Sequence, residues 1–218
     1  MKAIIAGSTG MVGSLVLANC LASEEIDEVV TLMRRPNAIP VGQAVKEVVV
    51  TDFTDYSSQA EHFQNVGIAF FCIGVYTGQV KDDQFKVITV DYAVAFAKAL
   101  QQHSPDARLC LLSGAGADRT EKSRVSFARY KGMAENQLAQ LGLEFYSFRP
   151  GYIYPVSPRK EPNLMYRVSR WMYPLIRLFG KNASIKSTEL AQGMFQVGLQ
   201  GAEQEVLENR DILAIISA

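Results

Sequence analysis

The chain has 218 residues, 22 of them basic and 22 acidic, so it carries no formal net charge at neutral pH. Balanced charge with no basic block argues against a direct nucleic-acid binder, and a hydrophobic content of 48% supplies the core of one α/β domain, taken as residues 1–218. No run of eighteen apolar residues occurs, so no membrane-spanning helix is expected.

The first six residues form an apolar run of strand length. Gly7-Ser8-Thr9-Gly10-Met11-Val12-Gly13 breaks that run, and residues 14–21 continue with helical spacing. Glycines at this spacing also mark ordinary turns; the strand before them and the helix after them make the segment a candidate dinucleotide site. Gly7 lets the chain leave the strand sharply, Gly10 admits a pyrophosphate to the backbone, and Gly13 lets the helix pack close to the sheet. The free N–H groups of the first helical turn then meet the phosphates.

Residues 28–33 read as the second strand, ending at Arg34-Arg35-Pro36. An NAD site places a carboxylate at the end of this strand for the ribose 2′-hydroxyl. Here Glu28 stands at the wrong end and two arginines leave the strand. A guanidinium forks hydrogen bonds to a phosphate, so Arg34 and Arg35 point to NADP; the alternative is a pair of solvated surface arginines.

Residues 46–50 are the third strand, followed by Asp52-Phe53, a short helix over 56–63 and a fourth strand over 67–73 closed by Gly74. This fourth strand barely alternates, as expected of a central parallel strand covered on both faces. A helix over 85–100, a strand over 107–112 closed by Ser113-Gly114-Ala115-Gly116, a helix over 126–141 and a strand over 144–148 ended by Arg149-Pro150-Gly151 complete an α/β, doubly wound parallel pattern.

Prolines at 155, 158, 162 and 174 then mark a change of character, and residues 152–186 read as a small lid or substrate region. Its amphipathic stretch, 164–173, suits packing against the main domain, a lid, a partner face or a membrane surface. A helix over 188–199, an edge strand over 205–208 and a terminal helix over 211–217 capped by Asn209 close the chain. Cys20, Cys72 and Cys110 lie in apolar stretches and read as buried thiols of a reducing compartment. His62 and His103 have no ligand partners nearby, so no metal site is expected. With only four apolar residues after Lys2, the start does not read as a signal peptide, and the expected location is cytoplasmic.

The glycine turn, Val50-Thr51-Asp52-Phe53, Cys72-Ile73-Gly74, Phe85-x-x-Ile88-x-x-Asp91-Tyr92, residues 113–118, the helix bearing Lys131, Arg149-Pro150-Gly151 and Glu205-Val206-Leu207-Glu208-Asn209 together resemble the short-chain dehydrogenase/reductase superfamily. Within it they resemble the atypical branch, and most closely the TIP30-like (Tat-interacting-protein) proteins and their bacterial oxidoreductase-like relatives. The resemblance implies a Rossmann-type sheet of order 3-2-1-4-5-6-7, a nicotinamide cofactor and a small C-terminal substrate region. It implies that Gly7 to Gly13 surround the pyrophosphate, that Asp52 and Phe53 border the adenine, and that Cys72, Ile73 and Gly74 run under the cofactor's centre. Pro150 and Gly151 then lie beside the nicotinamide, with Tyr152 and Tyr154 either lining the substrate side or packing in the core.

The family's catalytic set is a serine after strand five and a tyrosine four residues before a lysine. Lys131 matches the lysine, which holds the nicotinamide ribose and lowers the tyrosine's pKa. Phe127 stands in the tyrosine's place and has no proton to give. Tyr130, about 100° around the helix, is expected to pack on the flank. Ser113 keeps a hydroxyl at the strand end, and Gly114 lacks one. Three functions follow: an NADP-dependent oxidoreductase that takes its proton from Tyr76, Tyr154 or water; a cofactor-binding regulatory or assembly protein; or an epimerase-like enzyme on nucleotide sugars. The partners implied are a nicotinamide dinucleotide and an unknown small-molecule substrate or protein.

Overall fold

In the computed structural model, which describes residues 1–35, 45–76, 78–156, 180 and 182–217, the first strand, β1 (Lys2–Ala6), feeds two cores at once. Successive side chains of a strand point to opposite faces. Ile4 and Ala6 therefore pack into one buried cluster, and Ala3 and Ile5 into the other. The fourth strand, β4 (Val66–Phe71), repeats the division with Ala69 and Phe71 against Ile68 and Phe70. In β5 (Arg108–Leu112) the division falls between Leu109 and Leu111 on one side and Cys110 on the other. That is why these strands read as unbroken apolar runs: both faces are covered.

The other strands are β2 (Glu28–Met33), β3 (Val45–Val49), β6 (Glu144–Arg149), β7 (Tyr152–Tyr154), β8 (Ser184–Lys186) and β9 (Val206–Glu208). Among the described residues, seven strands form one sheet in the order β3-β2-β1-β4-β5-β6-β9, with every neighbouring pair parallel. This is the expected 3-2-1-4-5-6-7 order; the seventh position falls to β9 because β7 and β8 pair separately in a two-stranded parallel sheet. Parallel strands need long crossovers. These are supplied by α1 (Gly13–Ala22), α2 (Asp82–Lys86) and α3 (Tyr92–His103), joined by a π-helical turn over Val87–Asp91, and α4 (Ser126–Ala139), with α5 (Ser187–Gln200) before β9 and α6 (Asn209–Ile215) after it. α1 buries Val16 and Cys20 in the second cluster, each completely. A fully buried valine of this kind contributes about 1.5–3 kcal/mol.

Two local expectations are corrected, and one strand is added. The helix placed over 85–100 is two helices and a π turn. The terminal helix begins at Asn209, not Asp211: the Asp211 carboxylate accepts the Glu208 N–H at 3.0 Å, while Asn209 is fully buried and bonds elsewhere. Tyr152–Tyr154 forms a strand, its first N–H donating to the Ala183 carbonyl at 3.0 Å. The amphipathic stretch 164–173 lies outside the described residues.

The strand order reverses between β1 and β4. In open α/β sheets ligands sit beyond the carboxyl ends of the strands at such a point. Gly7, which follows β1, and Cys72, which follows β4, meet there, tied by the Cys72 N–H donating to the Ala6 carbonyl at 2.8 Å.

Candidate functional site

Gly7 has φ +90°, a conformation that side-chain-bearing residues rarely adopt. A Cβ there would also stand 2.8 Å from the Cys72 carbonyl carbon and 2.9 Å from the Ile73 nitrogen. A Cβ on Gly13 would collide with the Gly7 carbonyl oxygen and lie 3.2 Å from the Cys72 Cβ. The two outer glycines thus allow the turn, the start of α1 and the end of β4 to press together. Gly10 meets only the Gly7 oxygen, at 3.2 Å, and lines open space instead. The turn closes on the Gly10 N–H to Gly7 carbonyl bond, and the α1 ladder starts with Ser14 donating to Gly10. The amides of Met11, Val12 and Gly13 therefore stand ahead of the ladder, where helix N–H groups are available to an anion.

A cleft of about 420 Å³ opens beside this turn. It brings together Gly10, Met11 and Val12 from the turn, Cys72, Ile73 and Gly74 after β4, Ser113 and Gly114 after β5, Lys131 from α4, and Pro150 and Gly151 after β6. Its volume suits a small ligand or part of a larger one. Lys131 is half-buried, and its Nζ donates to the Leu112 carbonyl at 2.9 Å. Burial pushes its pKa down to about 8, against the opposing pull of Glu135 and Cys72.

One helical turn before Lys131, the Phe127 ring also faces this cleft. A Cβ built on Gly114 would lie 2.6 Å from the ring's Cζ. The phenyl tip occupies the space that a side chain at 114 would need, so the two departures from the expected catalytic set are one packing arrangement.

The sequence profile of the NAD(P)H-binding family matches residues 7–170, from the glycine turn through this cleft. The chain belongs to the NAD(P)H-binding family. It is 30% identical over 162 residues to Protein fmp52-1, mitochondrial, of Aspergillus terreus, covering 72% of this chain and 68% of that protein. Among solved structures, yeast methylglyoxal/isovaleraldehyde reductase Gre2 complexed with NADPH superposes with a TM-score of 0.70 at 12% identity, covering 95% of this chain and 78% of Gre2. MoeE5 in complex with UDP-glucose and NAD gives 0.70 at 11% identity, covering 98% of this chain and 80% of MoeE5. These neighbours show the Rossmann-type fold, and the family shows nicotinamide-dinucleotide binding.

The residues present fit the NAD(P)H of this family. The Gly7–Gly13 turn is a cradle that a Cβ would fill, and the Ser8 hydroxyl within it is buried without a hydrogen-bond partner among the described residues. A diphosphate oxygen is an acceptor of the kind that hydroxyl lacks.

Ser113 borders the cleft, but its hydroxyl donates to Glu135 Oε1 at 2.6 Å. Glu135 itself was not legible as a site residue. Its side chain is fully buried and also accepts from Ser147 Oγ at 2.8 Å, Arg149 Nε at 3.0 Å and Arg119 Nε at 2.9 Å, with Arg149 Nη2 closing a second contact. Burial alone would raise its pKa; the bonds from Arg149, Ser113, Ser147 and Arg119 outweigh that and hold it below the usual carboxylate range. Ser113 thus stands on the cleft wall with one hydrogen bond already made. Its proton is committed to a carboxylate that ties α4 to the ends of β5 and β6.

Phe53 is 3% exposed, its ring packed between those of Tyr56 and Tyr92. Asp52 is exposed, and its Oδ1 accepts from the Thr54 N–H and hydroxyl, which lowers its pKa. Arg34 and Arg35 are exposed just beyond β2, at the same end of the sheet as the glycine turn. Tyr130 packs on the flank as expected, buried against Phe85 with its hydroxyl donating to Asp82 at 2.6 Å. The three cysteines are buried free thiols.

Proposed function

We propose that this protein is an NADP(H)-dependent oxidoreductase of non-standard design, which keeps the family's dinucleotide cleft and dispenses with its tyrosine acid. The observation that carries this reading is the single cleft that joins the glycine turn to Lys131, with the Phe127 ring filled in against Gly114. Gly7 to Gly13 hold the pyrophosphate and Lys131 holds the nicotinamide ribose. Cys72, Ile73, Gly74, Pro150 and Gly151 border the centre and the nicotinamide, and the adenine lies by Asp52. NADP in preference to NAD is supported by Arg34 and Arg35, whose guanidinium groups suit the 2′-phosphate. When bound, NADP(H) supplies the hydride; the chain's own residues bind, orient and exclude water.

The test is turnover of a panel of aldehydes and ketones with NADPH, run beside Phe127→Tyr. We expect slow reduction by the natural protein, and a rise on the order of 10²-fold where the restored hydroxyl reaches the substrate. Fast reduction by the natural protein, unchanged by the substitution, would overturn the reading. A second reading, a regulatory or assembly protein that reports bound cofactor, draws on the same Phe127–Gly114 packing; NADPH binding without any turnover selects it. The epimerase-like reading has the least support, since that chemistry leans on the tyrosine that Phe127 replaces. A cytoplasmic location is supported by the three buried thiols, although the relative above is named as mitochondrial; cell fractionation that recovers the protein with mitochondria would reject it.

A further inference from the structure

The cleft poses a question of proton supply. Reducing a carbonyl delivers two electrons and one hydrogen to carbon, and the oxygen must then gain a proton. Phe127 has none to give. The Ser113 hydroxyl is committed to Glu135 at 2.6 Å, and the Tyr130 hydroxyl to Asp82 at 2.6 Å on the helix flank. Burial pushes the Cys72 thiol up to about 12, which makes it a poor acid at neutral pH. Lys131 remains. It lies four residues after Phe127, hence on the same face of α4, and lines the cleft with Gly114, Ser113 and Tyr152. Among the described residues, its only hydrogen-bond acceptor is the Leu112 carbonyl. An ammonium has three donors, so two are left for a ribose hydroxyl and for a substrate oxygen.

We propose that Lys131 is the proton donor of this cleft, its ammonium protonating the oxygen of an aldehyde or ketone during reduction. This rests on the oxidoreductase reading above. The carbonyl carbon receives a hydride from the reduced nicotinamide and forms a C–H bond. The π pair of the C=O bond moves to oxygen, and an N–H bond of Lys131 breaks to form the O–H bond. The carbonyl is reduced to an alcohol, the nicotinamide is oxidised, and the neutral Lys131 amine regains its proton from solvent. The substrate is an aldehyde or ketone with apolar substituents, because Ile73, Val75, Phe127 and Ile153 wall the cleft around Lys131. The lysine's acidity fits the task. Burial brings it to about 8, where an acid works well near neutral pH. The charged or titratable groups that act on it are Glu135, one turn further along α4, and Cys72 after β4, and both oppose the drop.

The experiment has two arms. In the first, the protein without cofactor is treated with formaldehyde and cyanoborohydride across a range of pH, and methylation of Lys131 is read by peptide mass spectrometry. The expected midpoint is near 8, with protection by NADPH; a midpoint at the ordinary lysine value of about 10.4 overturns the proposal. In the second arm, single-turnover reduction by the natural protein should fall as pH rises through 8. Lys131→Arg keeps the charge but holds its proton, so it should bind NADPH and lose rate on the order of tenfold or more, together with the pH break. An unchanged rate and break in Lys131→Arg overturns the proton route alone. So does a break that vanishes in Tyr76→Phe or Tyr152→Phe while surviving in Lys131→Arg. Failure of the natural protein to bind NADPH overturns the oxidoreductase reading itself, and no turnover at all overturns both.

Discussion

A hydrogen at position 114 and a missing oxygen at position 127 answer one another. With the ring's Cζ 2.6 Å from where a Cβ would stand, neither residue can be changed without the other noticing. Gly114→Ala should cost about 1–3 kcal/mol in urea unfolding, the range for forcing a methyl into filled space. In the Phe127→Ala background the same change should cost less, giving a coupling on the order of 0.5–3 kcal/mol in the double-mutant cycle. Additive effects would mean that the ring swings away freely and that the packing is not shared. The sequence displayed both residues but not their contact, because spacing along a helix says nothing of how far a ring reaches toward a loop from another strand. The surroundings of Phe53 were hidden for the related reason that an aromatic after a strand reads alike whatever it packs on; its ring neighbours are Tyr56 and Tyr92.

At the scale of elements, Glu135 is the knot. Its carboxylate gathers Ser113 after β5, Ser147 and Arg149 from β6, and Arg119 from the loop before α4; Arg119 also donates to Glu205 at 2.5 Å, just ahead of β9. Glu135→Ala leaves the guanidinium groups of Arg119 and Arg149 without this partner and should cost about 3–5 kcal/mol in chemical denaturation. A loss near zero would show that solvent takes over its contacts. The pH sign follows from its depressed folded pKa. The stabilisation is fully present above the unfolded glutamate value of about 4.3 and is lost as pH falls through the lower folded value. Acid unfolding of Glu135→Gln should accordingly be shallower than that of the natural protein, and equal slopes would refute the assignment. A lone glutamate on an amphipathic helix reads as a solvated residue, so its partners, scattered from 113 to 149, stayed hidden. Gly132 on the same helix was equally silent, although a Cβ there would collide with the Asp118 carbonyl and hold α4 off its loop. The main-sheet strands, by contrast, were legible to within a residue or two, because a strand covered on both faces leaves an apolar run that little else leaves.

At the scale of the whole molecule, a ligand that binds only the folded chain stabilises all of it. NADPH at one hundred times its dissociation constant adds about 2.7 kcal/mol, which for a chain of this size raises the melting temperature by about 5–11 °C. NADH at the same concentration should give a smaller shift, and Arg34→Ala or Arg35→Ala should narrow the gap; equal shifts in the natural protein would end the case for NADP. The parallel, doubly wound sheet was legible through the alternation of strands with helices and its order through the family resemblance, whereas the pairing of β7 with β8 was not, since three-residue strands leave no period to read. The end of the chain also reaches the cleft. The Asn209 side chain accepts the Gly151 N–H at 3.2 Å and donates to the Asn182 carbonyl at 2.9 Å, while the Ser147 N–H donates to the Glu205 carbonyl at 2.7 Å. The glycine turn leaves the ribosome well before Asn209, the residue that fastens the opposite wall. At about 5–20 residues per second, translation separates the two by roughly 10–40 s. For that interval the nascent chain carries the glycine turn without the Asn209 bond to Gly151, and the two walls of the cleft come together only after residue 209 has emerged.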